Sequence, residues 1–146
     1  MSSTSATAVL EIVRTFNAPR QVVFDAFMTF DMIKSWFGPA ECQVQSGTMD
    51  FKVGGEYRFN MLTPGGLMTV AGHYTDITPP ERIAFTWRWL EDEDWTPLHS
   101  QITIEFRDQG AATEMRFVQI GFPSEESRKN HEHGWCGSFD KLIARC

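Results

Sequence analysis

The sequence is poor in cysteine: Cys42, Cys136 and Cys146 stand far apart in 146 residues, and none belongs to a CxxC pair. An odd, scattered set excludes a disulfide framework and a zinc site built on paired thiolates, so reduced thiols in a cytoplasmic setting are expected. Long apolar runs are missing too. No stretch approaches the roughly 20 residues that a membrane helix needs, and Met1 to Ala8 has neither the basic nor the apolar region of a secretory signal. Positive charge is in deficit, with 13 Lys and Arg against 19 Asp and Glu for a net charge of −6, and no basic run follows a phosphate backbone. Nucleic acid and membrane surfaces are therefore not expected partners. GxSxG, P-loop, dinucleotide and HExxH motifs are absent, so no catalytic residue, cofactor or metal is assigned.

Aromatic residues, in contrast, are abundant: 12 Phe, 5 Trp and 2 Tyr. That much ring area in a small acidic chain predicts a large apolar interior, either filled or hollow. The pattern along the chain predicts a flexible tail over 1–8 and a single domain over 9–146. Val9 to Phe16 reads as a strand. Asn17-Ala18-Pro19 then opens a helix over about 19–28, with Asn17 as its cap, and a second short helix covers Asp31 to Trp36 before Gly38-Pro39 stops it.

From Glu41 to Ile120 the apolar period is two, with turns at Gly54-Gly55, Pro64-Gly65-Gly66, Glu91 to Asp94 and Gln109-Gly110, which predicts about six antiparallel strands in a meander. One face carries Tyr57, Phe59 and Met61, then Met68, Val70 and Tyr74, then Ile83, Phe85, Trp87 and Trp89 as one strand, then Ile102, Ile104, Phe106, Met115 and Phe117. After Ser124 the period becomes helical: Trp135, Phe139, Leu142 and Cys146 form one stripe of a long helix, capped by Ser124 with Glu125 and Glu126 in its first turn. The class is α+β. A curved sheet with one apolar face must be covered, and the last helix is the only long amphipathic element to do it.

The space between helix and sheet is closed by side chains or left for a ligand, and the candidate ligand-binding residues are those facing it. They are Tyr57, Phe59, Met61, Phe85, Trp87, Trp89, Phe117, Gln119, His131, Trp135, Phe139 and Leu142. His131 borders the helical stripe and can turn a polar group inward. Gly134 and Gly137, each costing about 1 kcal/mol in a helix relative to Ala, mark either close packing or room for a guest. His73 and His99 belong to the surface, and Glu91 to Asp94 to a solvated hairpin tip. His133 and Cys136, at i and i+3, lack the second pair that a zinc site requires.

Pro19 to Phe27 with Trp36-Phe37-Gly38-Pro39, Gly54-Gly55-Glu56-Tyr57, the run Gly72 to Trp87, and His133-Gly134-Trp135 to Leu142 together resemble the activator of heat-shock protein 90 ATPase homologue-like family. That family is part of the START-like (SRPBCC) superfamily. The resemblance implies a helix-grip fold: a curved antiparallel sheet wrapped around the long C-terminal helix, with a cavity between them. The fold alone does not fix the function; the expectation is binding of a small hydrophobic molecule, apolar or amphipathic, in that cavity, with a cyclase- or hydrolase-like enzyme or a stand-alone co-chaperone-like module as alternatives. A chaperone partner and a homodimer stay open. Many relatives carry a His near the end of the last strand, ahead of a Gly. Here Gln119 stands there, in Val118-Gln119-Ile120-Gly121, and an amide does not titrate.

Overall fold

The computed structural model describes residues 9–95 and 100–145; the tail expected over 1–8, His99 and Cys146 lie outside the described residues. β1 (Val9–Phe16) alternates as its sequence does, with Leu10, Ile12 and Phe16 buried and Val9 and Val13 exposed. It is followed by α1 (Arg20–Asp25) and α2 (Phe30–Trp36). Asn17 does not cap α1: the N-cap is Pro19, whose carbonyl accepts from the amides of Val22 and Val23. The helix also stops short of residue 28, because the amides of Ala26, Phe27 and Met28 bond three residues back and tighten the last turn. The Thr29 side chain then caps α2 by accepting from the Met32 amide, and Asp31 sits in its first turn.

Seven strands follow among the described residues: β2 (Gln43–Met49), β3 (Glu56–Thr63), β4 (Gly66–Thr78), β5 (Arg82–Thr86), β6 (Arg88–Trp89), β7 (Gln101–Gln109) and β8 (Ala112–Ile120). They form one antiparallel sheet in the order β1-β8-β7-β5-β4-β3-β2, with β6 on β4. The strand expected from Ile83 to Trp89 is broken at Trp87, whose amide leaves the ladder for the Ser100 carbonyl at 3.1 Å; β6 then resumes on β4 with Trp89 opposite Val70. Gly72 lies opposite the break. A side-chain carbon there would stand 2.1 Å from the Thr86 carbonyl oxygen, so the bend needs glycine. Irregular register between Val44 and Ser46 and between Tyr74 and Asp76 adds curvature.

α3 (Glu125–Arg145) lies along the apolar face, and Ser124 caps it by accepting from the Ser127 amide at 3.1 Å. Its C-terminal half is fastened. Arg14 on β1 bonds Asp140 at 2.7 Å, and the Ser138 hydroxyl accepts from the Gly38 amide at 2.8 Å. Phe117, Trp135 and Phe139 cluster there, with the Phe117 ring tilted 4.7 Å from Trp135 and edge-on 5.5 Å from Phe139. α1 and α2 close the same end of the sheet: Phe24 and Phe27 each lie 5.5 Å from Phe106, and Trp36 packs on Phe27 at 4.8 Å. The architecture is the helix-grip arrangement of a curved sheet around a C-terminal helix.

Candidate binding cleft

Where the N-terminal half of α3 stands off the sheet, a cleft of about 740 Å³ opens. Its floor is Met61, Met68, Trp87 and Trp89 from the sheet, and one wall is the helix from Ser127 to Ser138. The opposite wall is the connection after α2, with Phe37, Pro39, Glu41 and Cys42, and Trp95 closes a corner. Glu41 and His133 face each other across the rim at 2.5 Å, so the pair links the connection to the helix. The Glu41 carboxyl is held below its usual range, first by its own backbone amide and then by His133.

His131 organises the back of the cleft. Its Nδ1 lies 2.7 Å from the Ser127 carbonyl and is the protonated nitrogen; Nε2 then accepts from the indole N–H groups of Trp87 at 3.3 Å and Trp89 at 2.9 Å. Trp95 and Phe122 pack on the ring, with centroids at 5.1 and 5.4 Å. Burial pushes its pKa down to about 4, the bond to Ser127 opposing in part, so the ring is neutral at pH 7. A second chain of bonds sits deeper: the Trp135 indole donates to Gln119 Oε1 at 3.0 Å, the Gln119 amide donates to Ser100 Oγ at 3.1 Å, and that hydroxyl donates to the Ile120 carbonyl at 2.8 Å. The Tyr57 hydroxyl donates to the Thr86 carbonyl at 2.6 Å, and burial raises its pKa well above the usual value. The polar groups of this apolar region are thus paired with one another, as buried polar atoms must be.

The twelve sequence candidates divide by depth. Met61, Trp87, Trp89, His131 and Trp135 line the cleft. Tyr57, Phe59 and Phe85 instead border, together with Trp36, Trp87 and Trp135, a second, smaller apolar space of about 30 Å³. Phe117, Gln119, Phe139 and Leu142 line neither space and are buried.

Gly137 is a packing residue, since a side-chain carbon there would meet Pro39 Cα and Cβ at 2.9 Å, whereas at Gly134 the nearest atom is Pro39 Cδ at 4.0 Å. His73 is exposed, as expected. The acidic stretch is not wholly solvated: the Glu91 carboxylate accepts from the Thr69 amide at 2.7 Å, and Glu93–Trp95 forms a 3-10 turn that buries Trp95. Trp95 and Phe37 are cleft residues that the two-residue period did not reveal, because both lie outside strands. The signal available was their type, since an aromatic beside charges or glycine needs a place to be buried.

No described helix is long and apolar enough to cross a membrane. A family model for "Activator of Hsp90 ATPase homolog 1-like protein" matches residues 17–145. The chain is similar to the activator of 90 kDa heat shock protein ATPase homolog 1 of Mus musculus and to that of Homo sapiens. Each is 24% identical over 131 residues, which are 88% of this chain and 34% of the relative. The chain therefore spans about a third of the length of the curated relatives it matches.

Among solved structures, protein CV1439 from Chromobacterium violaceum superposes with a TM-score of 0.82 at 27% identity, over 93% of this chain and 94% of that one. The AHSA1 protein from Silicibacter pomeroyi does so with a TM-score of 0.80 at 25% identity, over 94% and 96%. With the family model covering nearly all of it and these folds matching end to end, the chain belongs to the activator of Hsp90 ATPase homolog 1-like family.

Proposed function

We propose that residues 9–146 form one cytoplasmic binding domain that holds a small apolar or amphipathic molecule in the cleft between α3 and the sheet. The observation that carries this reading is a cleft of about 740 Å³, of ligand-binding size, floored by Trp87, Trp89, Met61 and Met68, beside a core that leaves only about 30 Å³ next to it. Catalysis in the manner of a cyclase or hydrolase has less support. His131 has both ring nitrogens engaged, Gln119 does not titrate, and Tyr57 is buried with its hydroxyl donating to the Thr86 carbonyl. The test is titration with a panel of apolar and amphipathic dyes, read by tryptophan quenching and by thermal shift. One equivalent should bind and raise the unfolding temperature by mass action. Failure of every dye to bind or shift the transition would end the carrier reading.

The name of the curated relatives supports a second reading, a module that docks on a heat-shock chaperone of 90 kDa. The matched third of those relatives need not be the part that docks, so the discriminating measurement is capture of the purified chaperone by this chain alone.

A further inference from the structure

We propose that the guest of the cleft is a hydrophobic cation: an alkyl or aryl ammonium whose apolar part lies on the tryptophan floor and whose charge meets the acidic rim. The inference rests on the binding reading above and names the ligand class. Four of the residues lining the cleft carry carboxylates, namely Glu41, Asp92, Asp94 and Glu126, and none is a lysine or arginine. Lys141, outside the lining, donates to the Pro39 carbonyl at 3.4 Å and its charge reaches the Glu41 carboxyl.

The donors at the tryptophan floor and along the buried side of α3 are already engaged, which leaves the Asn130 amide and the Ser127 hydroxyl, both uncharged, as side-chain donors on the helix wall. The indole N–H groups of Trp87 and Trp89 are both directed to His131, that of Trp135 goes to Gln119, the His131 Nδ1 proton goes to Ser127, and the Ser138 hydroxyl donates to the Gly134 carbonyl. Because Nδ1 carries the proton and Nε2 accepts, His131 adds no positive charge. His133 is occupied by Glu41. What the site offers a guest is indole faces, methionine sulfurs, uncharged donors and the carboxylates of Asp92, Asp94 and Glu126, Glu41 being paired with His133; π-faces and carboxylates are the groups that recognise organic cations. The chain's net charge of −6 favours the encounter.

The experiment titrates the full chain with three probes of one tail, octyltrimethylammonium, octan-1-ol and octanoate, each below its aggregation limit and read by tryptophan emission. The cation should bind about tenfold tighter than the carboxylate, the size of one or two cation–π contacts, with the alcohol between them. Added salt should shrink the advantage. The double substitution Asp92→Asn, Asp94→Asn should cut the cation-to-carboxylate ratio to about threefold or less; Asn keeps an acceptor for the Asp94 amide that Asp92 now binds at 3.0 Å. Octanoate binding as tightly as the cation would overturn the charge preference and leave the carrier reading standing. Absence of binding by all three would overturn both.

Discussion

The two ends of the apolar face are built from the same residue types and yet differ in what they enclose. At the end covered by α1, α2 and the C-terminal half of α3, Phe16, Phe24, Trp36, Phe117 and Phe139 are all but fully buried. At the other end the N-terminal half of α3 spans open space of about 740 Å³. Composition does not explain the contrast, since tryptophan is commoner at the open end. The difference lies in coverage. Two short helices supply rings that leave a space of only about 30 Å³ at the first end, whereas Trp87 meets Phe37 at 6.0 Å and Trp135 at 5.1 Å, lines the cleft, and shares a single imidazole with Trp89 for its N–H group. Curvature alone therefore does not make a cavity in this fold; a cavity forms where the third layer is thin.

The largest effect that would break this contrast is truncation of a ring. Phe117→Ala at the packed end should lower the free energy of unfolding by about 3–5 kcal/mol, measured by denaturant titration. Trp89→Ala, at a half-buried cleft position, should cost less than about 2 kcal/mol while weakening guest binding. Equal stability losses at the two positions would mean that the open end is packed as tightly as the other.

Next in size is His131→Leu, which orphans two indole donors and should lower stability at pH 7 by about 1–3 kcal/mol. The same histidine gives the native protein an acid sensitivity. Its folded pKa of about 4 lies below the unfolded 6.5, so between those values the unfolded chain holds the extra proton, and stability falls as the pH drops through that window. Unfolding temperatures of the native chain and of His131→Leu should diverge at pH 7 and converge towards pH 4. Parallel curves would remove His131 from its place behind the cleft.

The smallest effect concerns the glycines of α3. Gly134→Ala has room beside Pro39 and should gain up to about 1 kcal/mol of helix stability, whereas Gly137→Ala drives into Pro39 and should show no gain. A gain at both positions would mean that the connection after α2 is not packed on the helix.

Much of this was legible in the residues. The inward positions of β3, β7 and β8 follow directly from alternation, because each strand has one face in water, and the stripe Trp135, Phe139, Leu142 is buried as a helical period requires. Alternation says in or out but carries no depth. Trp87 and Phe117 read alike in sequence, and only the placement of α1 and α2 assigns one to a cleft wall and the other to a filled core. Trp95 escaped because a 3-10 turn in an acidic stretch has no period, and the Glu41–His133 contact joins residues 92 positions apart.

The most direct test follows the five indole N–H resonances in a ¹⁵N–¹H correlation spectrum, assigned by single Trp→Phe substitutions, during titration with an apolar guest. Trp87 and Trp89 line the cleft, while Trp36 is buried at the packed end with its N–H on the Ala26 carbonyl at 3.0 Å. A guest in the cleft should shift the Trp87 and Trp89 signals strongly and leave that of Trp36 in place. A shift of Trp36 as large as theirs would put the guest in the smaller space that Trp36 borders under α2, contradicting the division of the interior into a packed half and an open one.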